Sequence, residues 1–224
     1  MSSDIGKESR SVGDFEQVKL RLENWLSDLD LVLGERESLT LEGSPDLLSK
    51  IQTTVKERTL ELCLSVGFWE KLGYAVATSL TRPRVRLRLE VKSLTALSVF
   101  GAARVRVSKL QSDNLSLRFH GAGQIQIPQL SAETLAVDLG GASRIELAGR
   151  ATEQKVTIFG AGIYDAGDLE SRSATVHLKG MGRASVWVIE ELTTDIRGVG
   201  SVEVRGEPRV RRSVPVPWSL PAAP

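Results

Sequence analysis

The sequence predicts an all-β protein, a single-stranded β-helix or β-solenoid with about 18–20 residues per coil, and three observations carry that expectation. First, a short glycine motif recurs through the second half of the chain. Its six copies begin at Gly101, Gly121, Gly141, Gly160, Gly180 and Gly198, at spacings of 20, 20, 19, 20 and 18 residues. Periods of this size belong to stacked-repeat architectures, in which each repeat buries its apolar face only against its neighbours. Second, apolar residues hold fixed places around each glycine. Two before it stand Val99, Phe119, Leu139, Ile158, Leu178 and Ile196; six after it stand Val107, Ile127, Leu147, Ala166, Val186 and Val204. Third, the first half of the chain alternates apolar and polar residues with period two, the signature of half-buried strands.

Along the chain, residues 1–12 are small, polar or charged and read as a flexible N-terminal arm. Residues 13–207 read as one domain, with irregular N-terminal coils over 13–92 and the glycine repeats over 93–207. In the irregular part, Val18, Leu20 and Leu22, then Leu29, Leu31 and Leu33, then Leu39 and Leu41, and later Leu60, Leu62 and Leu64, mark strands. Gly43, Ser44, Pro45 and Asp46 form a turn before a brief Leu47, Leu48, Ile51 segment with the makings of one helical turn. Val66 to Pro83 breaks the alternation and reads as a loop or lateral excursion, and Val85, Leu87, Leu89 and Val91 resume it.

Within each repeat, the residues four after the glycine (Val105, Ile125, Ile145, Tyr164, Ala184 and Val202) complete a second inward column. Leu110, Leu130, Leu169 and Ile189 supply a weaker third one, which Ala148 and Gly149 fill poorly. Each glycine step is a corner at which positive φ or close backbone approach excludes a Cβ; both remain open at the level of sequence. Residues 208–224, rich in proline with Val214, Val216, Trp218 and Leu220, read as a cap over the last coil or as a free tail that binds a partner.

Hydrophobic residues make up 41% of the 224 and charged ones 25%, as in an ordinary globular chain with room for a sizeable core. The net charge of +1 hides an imbalance: residues 1–80 carry 9 basic and 14 acidic side chains, residues 81–224 carry 20 and 14. Cys63 is the only cysteine, so no internal disulfide forms, and no histidine stands nearby in sequence to make it a catalytic thiol. The first residues lack the apolar run of a secretory signal, and there is no stretch of eighteen apolar residues to span a membrane, so the chain as written reads as cytoplasmic.

These motifs resemble the bacterial family of auto-transporter adhesin heads, the GIN domain, whose repeats read Ser-Gly-Ala-Gly followed by alternating apolar residues. The resemblance covers Gly13 to Pro208 and is firmest in the glycine repeats, in YDAGDLESRSATV (Tyr164 to Val176) and in GSVEVRGEP (Gly200 to Pro208). It implies a right-handed β-helix and relatives that are commonly exported. The family's serine is replaced here by Phe100, His120, Gly140, Phe159, Lys179 and Arg197, and a further glycine repeat gives way to the basic, proline-rich tail. The family name assigns no activity, and fold does not bring mechanism with it.

Functional candidates therefore come from outward positions. Arg84, Arg86 and Arg88 alternate with Val85, Leu87 and Leu89, and Arg104 and Arg106 project from the first glycine repeat, with Arg82, Lys109 and Arg118 as further members. Such a ladder suits an anionic partner, an acidic glycan or cell-wall polymer ahead of nucleic acid, through salt-sensitive contacts; a solvated strand face uses the same pattern. Outward Phe100, Phe159 and Trp187 offer rings for sugars, a protein partner or a second copy of the chain. An enzymatic alternative, in the manner of β-helical polysaccharide lyases or hydrolases, centres on Asp165 and Asp168 with Glu170, Arg172 and Arg183, although no second acidic ladder is evident in the neighbouring coils. His120 and His177 fall three coils apart, about 14 Å, too far to share a metal. No cofactor or metal site is expected, since phosphate-loop, nucleophile-elbow and zinc spacings are missing.

Overall fold

The computed structural model describes residues 5–64 and 84–212, so Val66 to Pro83, including Arg82, and residues 213–224 lie outside the described residues. The described chain is mostly strand: β1 (Gly6–Arg10), β2 (Gln17–Leu33), β3 (Ser38–Gly43), β4 (Ile51–Lys56), β5 (Thr59–Leu64), β6 (Arg84–Val91), β7 (Ala96–Val107), β8 (Leu110–Gly160), β9 (Ile163–Gly180), β10 (Arg183–Ile196), β11 (Ser201–Arg205) and β12 (Arg209–Arg212). A four-residue helix, α1 (Pro45–Leu48), is the helical turn that the Leu47, Leu48 segment suggested, with proline at its first position. Twelve strands form one large mixed sheet in the order β1-β3-β6-β2-β7-β8-β9-β10-β11, with β12 beside β10 and β5 joining β4 to β2.

Pairing in the glycine half is parallel, and its register follows the sequence period. Ala96 faces Ser116 and Gly101 faces Gly121 between β7 and β8, a shift of 20 residues; Gly160 faces Gly180 between β8 and β9, again 20; Arg183 faces Ser201 between β10 and β11, a shift of 18. Equivalent residues thus stack one strand spacing apart, about 4.8 Å. The inward columns follow from that stacking: Val105, Ile125, Ile145, Tyr164 and Ala184 are fully buried, as are Val99, Phe119, Leu139, Ile158 and Leu178. Each such Val, Leu or Ile contributes about 1.5–3 kcal/mol by leaving water, so the columns rather than any one repeat hold the core together.

The glycine corners use both devices that the sequence left open. Gly141 has φ +80°, and a Cβ there would lie 2.4 Å from the Gly121 carbonyl oxygen. Gly180 needs no left-handed backbone, yet a Cβ on it would meet the Gly160 oxygen at the same 2.4 Å. Backbone rests directly on backbone at this edge.

Two local expectations are corrected, and one strand is added. The segment read as a free arm contains β1, which pairs antiparallel with β3 from Gly6↔Gly43 to Arg10↔Leu39. Arg10 fastens it, its guanidinium donating to the Leu48 carbonyl at 3.0 Å and to Thr53 Oγ1 at 2.7 Å. Ile189 is 51% exposed rather than inward, because the pairing of β10 with β9 shifts between Val188 and Glu191 and Val188 takes the buried place. In the proline-rich segment, Arg209–Arg212 form β12, parallel to β10.

Tyr164 occupies an apolar column without an orphaned hydroxyl. It donates to Gln154 Oε1 at 2.7 Å, and Gln154 Nε2 donates to the Leu169 carbonyl at 3.4 Å. Burial pushes the phenol pKa far above its ordinary value, so the ring stays neutral.

Two substitutions test this description. Gly141→Ala should destabilise the fold by about 2–3 kcal/mol in urea denaturation, whereas Gly167→Ala, whose Cβ has its nearest neighbours 4.0 Å away, should change little. Tyr164→Phe strands the Gln154 oxygen in the core and should cost about 1–3 kcal/mol; an unchanged midpoint would mean the pair is not buried as described.

Candidate functional site

Because the register is fixed, the residues three and five after each glycine form two outward columns across the sheet, and they continue into the strands before the first glycine. One column runs Glu42, Arg86, Asp28, Arg104 and Gln124. The other runs Thr40, Arg88, Asp30, Arg106 and Gln126, then Glu146, Asp165, Ser185 and Glu203.

The candidate arginines do share one face, but the expectation of a continuous basic ladder is corrected. Arg84, Arg86 and Arg88 on β6 do not neighbour Arg104 and Arg106 on β7; β2 lies between them and inserts Asp28 and Asp30. Arg84 pairs with Asp28 at 2.7 Å, Arg104 with the same carboxylate at 3.6 Å, and Arg86 with Glu42 at 3.8 Å. A hollow of about 400 Å³ is lined by these five arginines with Asp28, Asp30 and Glu42, an excess of two positive charges. Arg88 and Arg106 flank Asp30 and make no ion pair within 4.0 Å among the described residues. Arg118 stands before the glycine, outside these two columns.

Beside this hollow lies a furrow of about 670 Å³, which shares Asp30 and Arg106 with it. Its floor is apolar, with Val32, Pro128 and Ala148 over buried Val107, Ile127 and Leu147, and its wall carries Gln126, Glu146, Asp165 and Asp168. The furrow exists because the residue seven after the glycine is small or short in four repeats, Ser108, Pro128, Ala148 and Gly167; the next two have Trp187 and Arg205. The Arg205 guanidinium lies 4.1 Å over the Trp187 ring and donates to Asp168 at 3.1 Å and to the Gly167 carbonyl at 3.2 Å. A third hollow of about 350 Å³ shares Asp165 and Asp168 with the furrow and reaches Glu203. The three hollows make one continuous band across the strands.

Asp165 and Asp168 are both exposed, and a single further carboxylate joins them from the neighbouring repeat. Glu146 is the lateral partner of Asp165, one repeat away. Glu146 accepts from Gln126 Nε2 at 2.6 Å and lies 3.5 Å from Arg144, which stands 4.0 Å from Asp165. Arg172 is engaged elsewhere, by Glu190 at 2.7 Å, and Arg183 lies 3.9 Å from Glu203. Among the described residues no group of three or more His, Cys, Asp and Glu side chains is placed to hold a metal ion. His120 faces Asp138 at 3.4 Å without hydrogen-bond alignment, which leaves the buried Asp138 Oδ1 without a donor, and His177 faces Asp195 at 3.7 Å.

The outward aromatics are not bare platforms. Arg21 lies 5.9 Å over Phe100, which tilts against the His120 ring at 5.8 Å, and Lys179 lies 5.3 Å over Phe159. Each cation stands in the next strand of the stack, so the spacing that builds the core also covers the rings.

Residues 14–208 match the family model described as "Putative auto-transporter adhesin, head GIN domain". The chain belongs to this family. Solved structures with the same fold include a putative adhesin from Bacteroides fragilis, with TM-score 0.80, 21% identity and coverage of 95% of this chain and 93% of that one. A putative adhesin from Parabacteroides merdae follows, with TM-score 0.67 and 16% identity over 95% and 93% of the two chains. A structure from Parabacteroides distasonis described as a putative lipid binding protein has TM-score 0.63 and 14% identity over 95% and 98%. No functionally curated protein matches the chain. At these identities the likeness is one of fold, so the face of this GIN domain is read from its own residues.

The interleaved carboxylates predict a sign. Asp28→Asn frees Arg84 and Arg104 and should tighten retention on a sulfated anionic column roughly two- to fivefold, read as elution at higher salt; elution at unchanged salt would mean that Asp28 does not mask the arginines.

Proposed function

We propose that this GIN domain is a non-catalytic binding scaffold, coiled as a right-handed single-stranded β-helix with 18–20 residues per coil, that meets an extended partner along the band of three hollows. The observation that carries the reading is that band: it crosses successive strands, and its charged and polar side chains stand at outward positions that the core does not need. The coiled reading is supported by parallel pairing at offsets near 20 residues, and the right hand by the strong preference of parallel crossovers for it.

The partner best suited to the band is an elongated glycan or other polymer with widely spaced acidic groups, those groups held at Arg88 and Arg106 and its uncharged faces lying on the apolar floor of the furrow. Arginine suits this role, since its planar guanidinium binds carboxylate or sulfate with two parallel hydrogen bonds. Long, shallow and charged surfaces gain affinity by repeated weak contacts rather than by enclosure, which fits an adhesive role and the description of similar proteins as adhesins.

Binding to an array of acidic oligosaccharides at low salt tests the proposal. Arg88→Glu with Arg106→Glu should weaken retention about tenfold or more, while Asp165→Ala with Asp168→Ala, which removes two carboxylates from the furrow and releases Arg205, should leave it equal or tighter. Equal retention by the arginine variant defeats the basic contact. Release of cleaved sugar that disappears with Asp165→Ala would replace the scaffold with the enzymatic alternative.

A further inference from the structure

Charge is spread unevenly over the outside of the stack, and the glycine corners stand apart. Three outward columns run along them. The residue before each first glycine gives Phe100, His120, Gly140, Phe159, Lys179 and Arg197, and the residue three after it gives Arg104, Gln124, Arg144, Ile163, Arg183 and Ser201. Between them, at the crest of the corner, stand Ala102, Ala122, Ala142, Ala161, Met181 and Val199. These eighteen positions hold four arginines and a lysine but no carboxylate, whereas Asp and Glu are 28 of the 224 residues and an average eighteen would hold two. The acids begin one outward position further back on either side, with Asp138 and Asp195 three before the glycine and Glu146, Asp165 and Glu203 five after it. That sets them about 7 Å behind the ridge.

Apolar size grows along the crest. Its first four residues are alanines; the last two, Met181 and Val199, are 72% and 78% exposed, the most exposed large apolar side chains described in the repeat half. Phe159, one repeat before Met181, is 40% exposed beneath the Lys179 ammonium, 5.3 Å from its ring. Arg183 and Arg197 flank the same crest with side chains 63% and 64% exposed, Arg183 standing 3.9 Å from Glu203 and Arg197 3.1 Å from Asp195. Both guanidiniums are therefore drawn back from the apolar tip that they border.

We propose that this ridge, around Met181 and Val199, docks the protein on an anionic lipid bilayer. The arrangement matches the layering of a bilayer surface: an apolar tip enters the boundary between headgroups and acyl chains, while cations set behind it stay level with the phosphates. An acidic polymer in water would meet the cations but would leave Met181 and Val199 without an apolar phase. The lack of carboxylates matters equally, because a negative charge at the crest would be pressed against lipid phosphate. Six corners at strand spacing make an edge about 24 Å long, so the molecule lies with its stack axis along the membrane plane. The band of hollows shares only Arg104 with the ridge, so lipid contact at the last corners leaves the furrow open.

Co-sedimentation of the full chain with vesicles tests the proposal, comparing equimolar phosphatidylcholine and phosphatidylglycerol with phosphatidylcholine alone. The chain should bind the anionic vesicles and not the neutral ones. Lys179→Gln with Arg183→Gln should weaken that binding at least about tenfold through lost charge, and Met181→Gln with Val199→Gln about tenfold with charge unchanged. Arg88→Glu with Arg106→Glu, on the band, should leave it as it was. All four altered positions of the ridge are exposed, and an unchanged thermal midpoint confirms each fold; where a double variant fails to fold, Met181→Gln alone and Arg183→Gln alone give the same readout, several-fold each. Absence of binding, or equal binding to both kinds of vesicle, overturns the proposal. So does binding that the lysine and arginine changes weaken but the Met181 and Val199 changes do not, since the ridge would then be a contact for polyanions in water. Loss of vesicle binding in the Arg88, Arg106 variant with the ridge variants unaffected moves the lipid contact to the band and overturns it as well.

Discussion

The structure depends on direct contact between backbones at the glycine corners. A Cβ at Gly141 or Gly180 would fall 2.4 Å from the carbonyl oxygen of the corner below. With hydrogen there instead, successive corners close to one strand spacing, and everything else inherits that distance. The aliphatic columns meet in van der Waals contact because their backbones are already that close, and outward side chains stand as regular rows. Core and surface are two sides of one fixed translation.

That translation determines how charge is organised on the outside. Side chains in one row stand close enough to pair with the row above and below, and several outward charges here do so, as in Arg84–Asp28–Arg104 or Arg183–Glu203. Pairs this exposed add little stability, typically below about 1 kcal/mol each. Their effect is to set the sign and spacing of the field that a partner meets. The same rule places Arg205 on Trp187 and Lys179 on Phe159, so that the aromatic surface is presented through a cationic layer.

Much of the repeat half was legible in the sequence, since one period specifies glycine, inward columns and outward rows together. What escaped were pairings between segments distant in sequence. Arg84, Arg86 and Arg88 lie shortly before Arg104 and Arg106 in the chain, and adjacency in sequence suggested adjacency in the sheet; β2 intervenes, and its Asp28 and Asp30 share the phase of the arginines. That phase was readable, but nothing local announces which strand is the neighbour. Glu146 was readable too, five residues after Gly141 as Asp165 is five after Gly160. Gly6–Arg10 looked unstructured because a short polar edge strand has no apolar alternation, and its place depends on backbone pairing with β3 and on the reach of Arg10.

The threading of β2 also bears on how the molecule is made. Gln17 pairs with Thr59 on one side and with Ala96 on the other, and Asp28 pairs with both Arg86 and Arg104. Beyond β7, by contrast, each row needs only the one about twenty residues earlier. Non-local pairing is slow because a long loop must close before any contact rewards it. During synthesis, then, β2 waits for its flanks until β7 has emerged, while each later row has a finished template at once. Growth of this protein is a slow start followed by zippering.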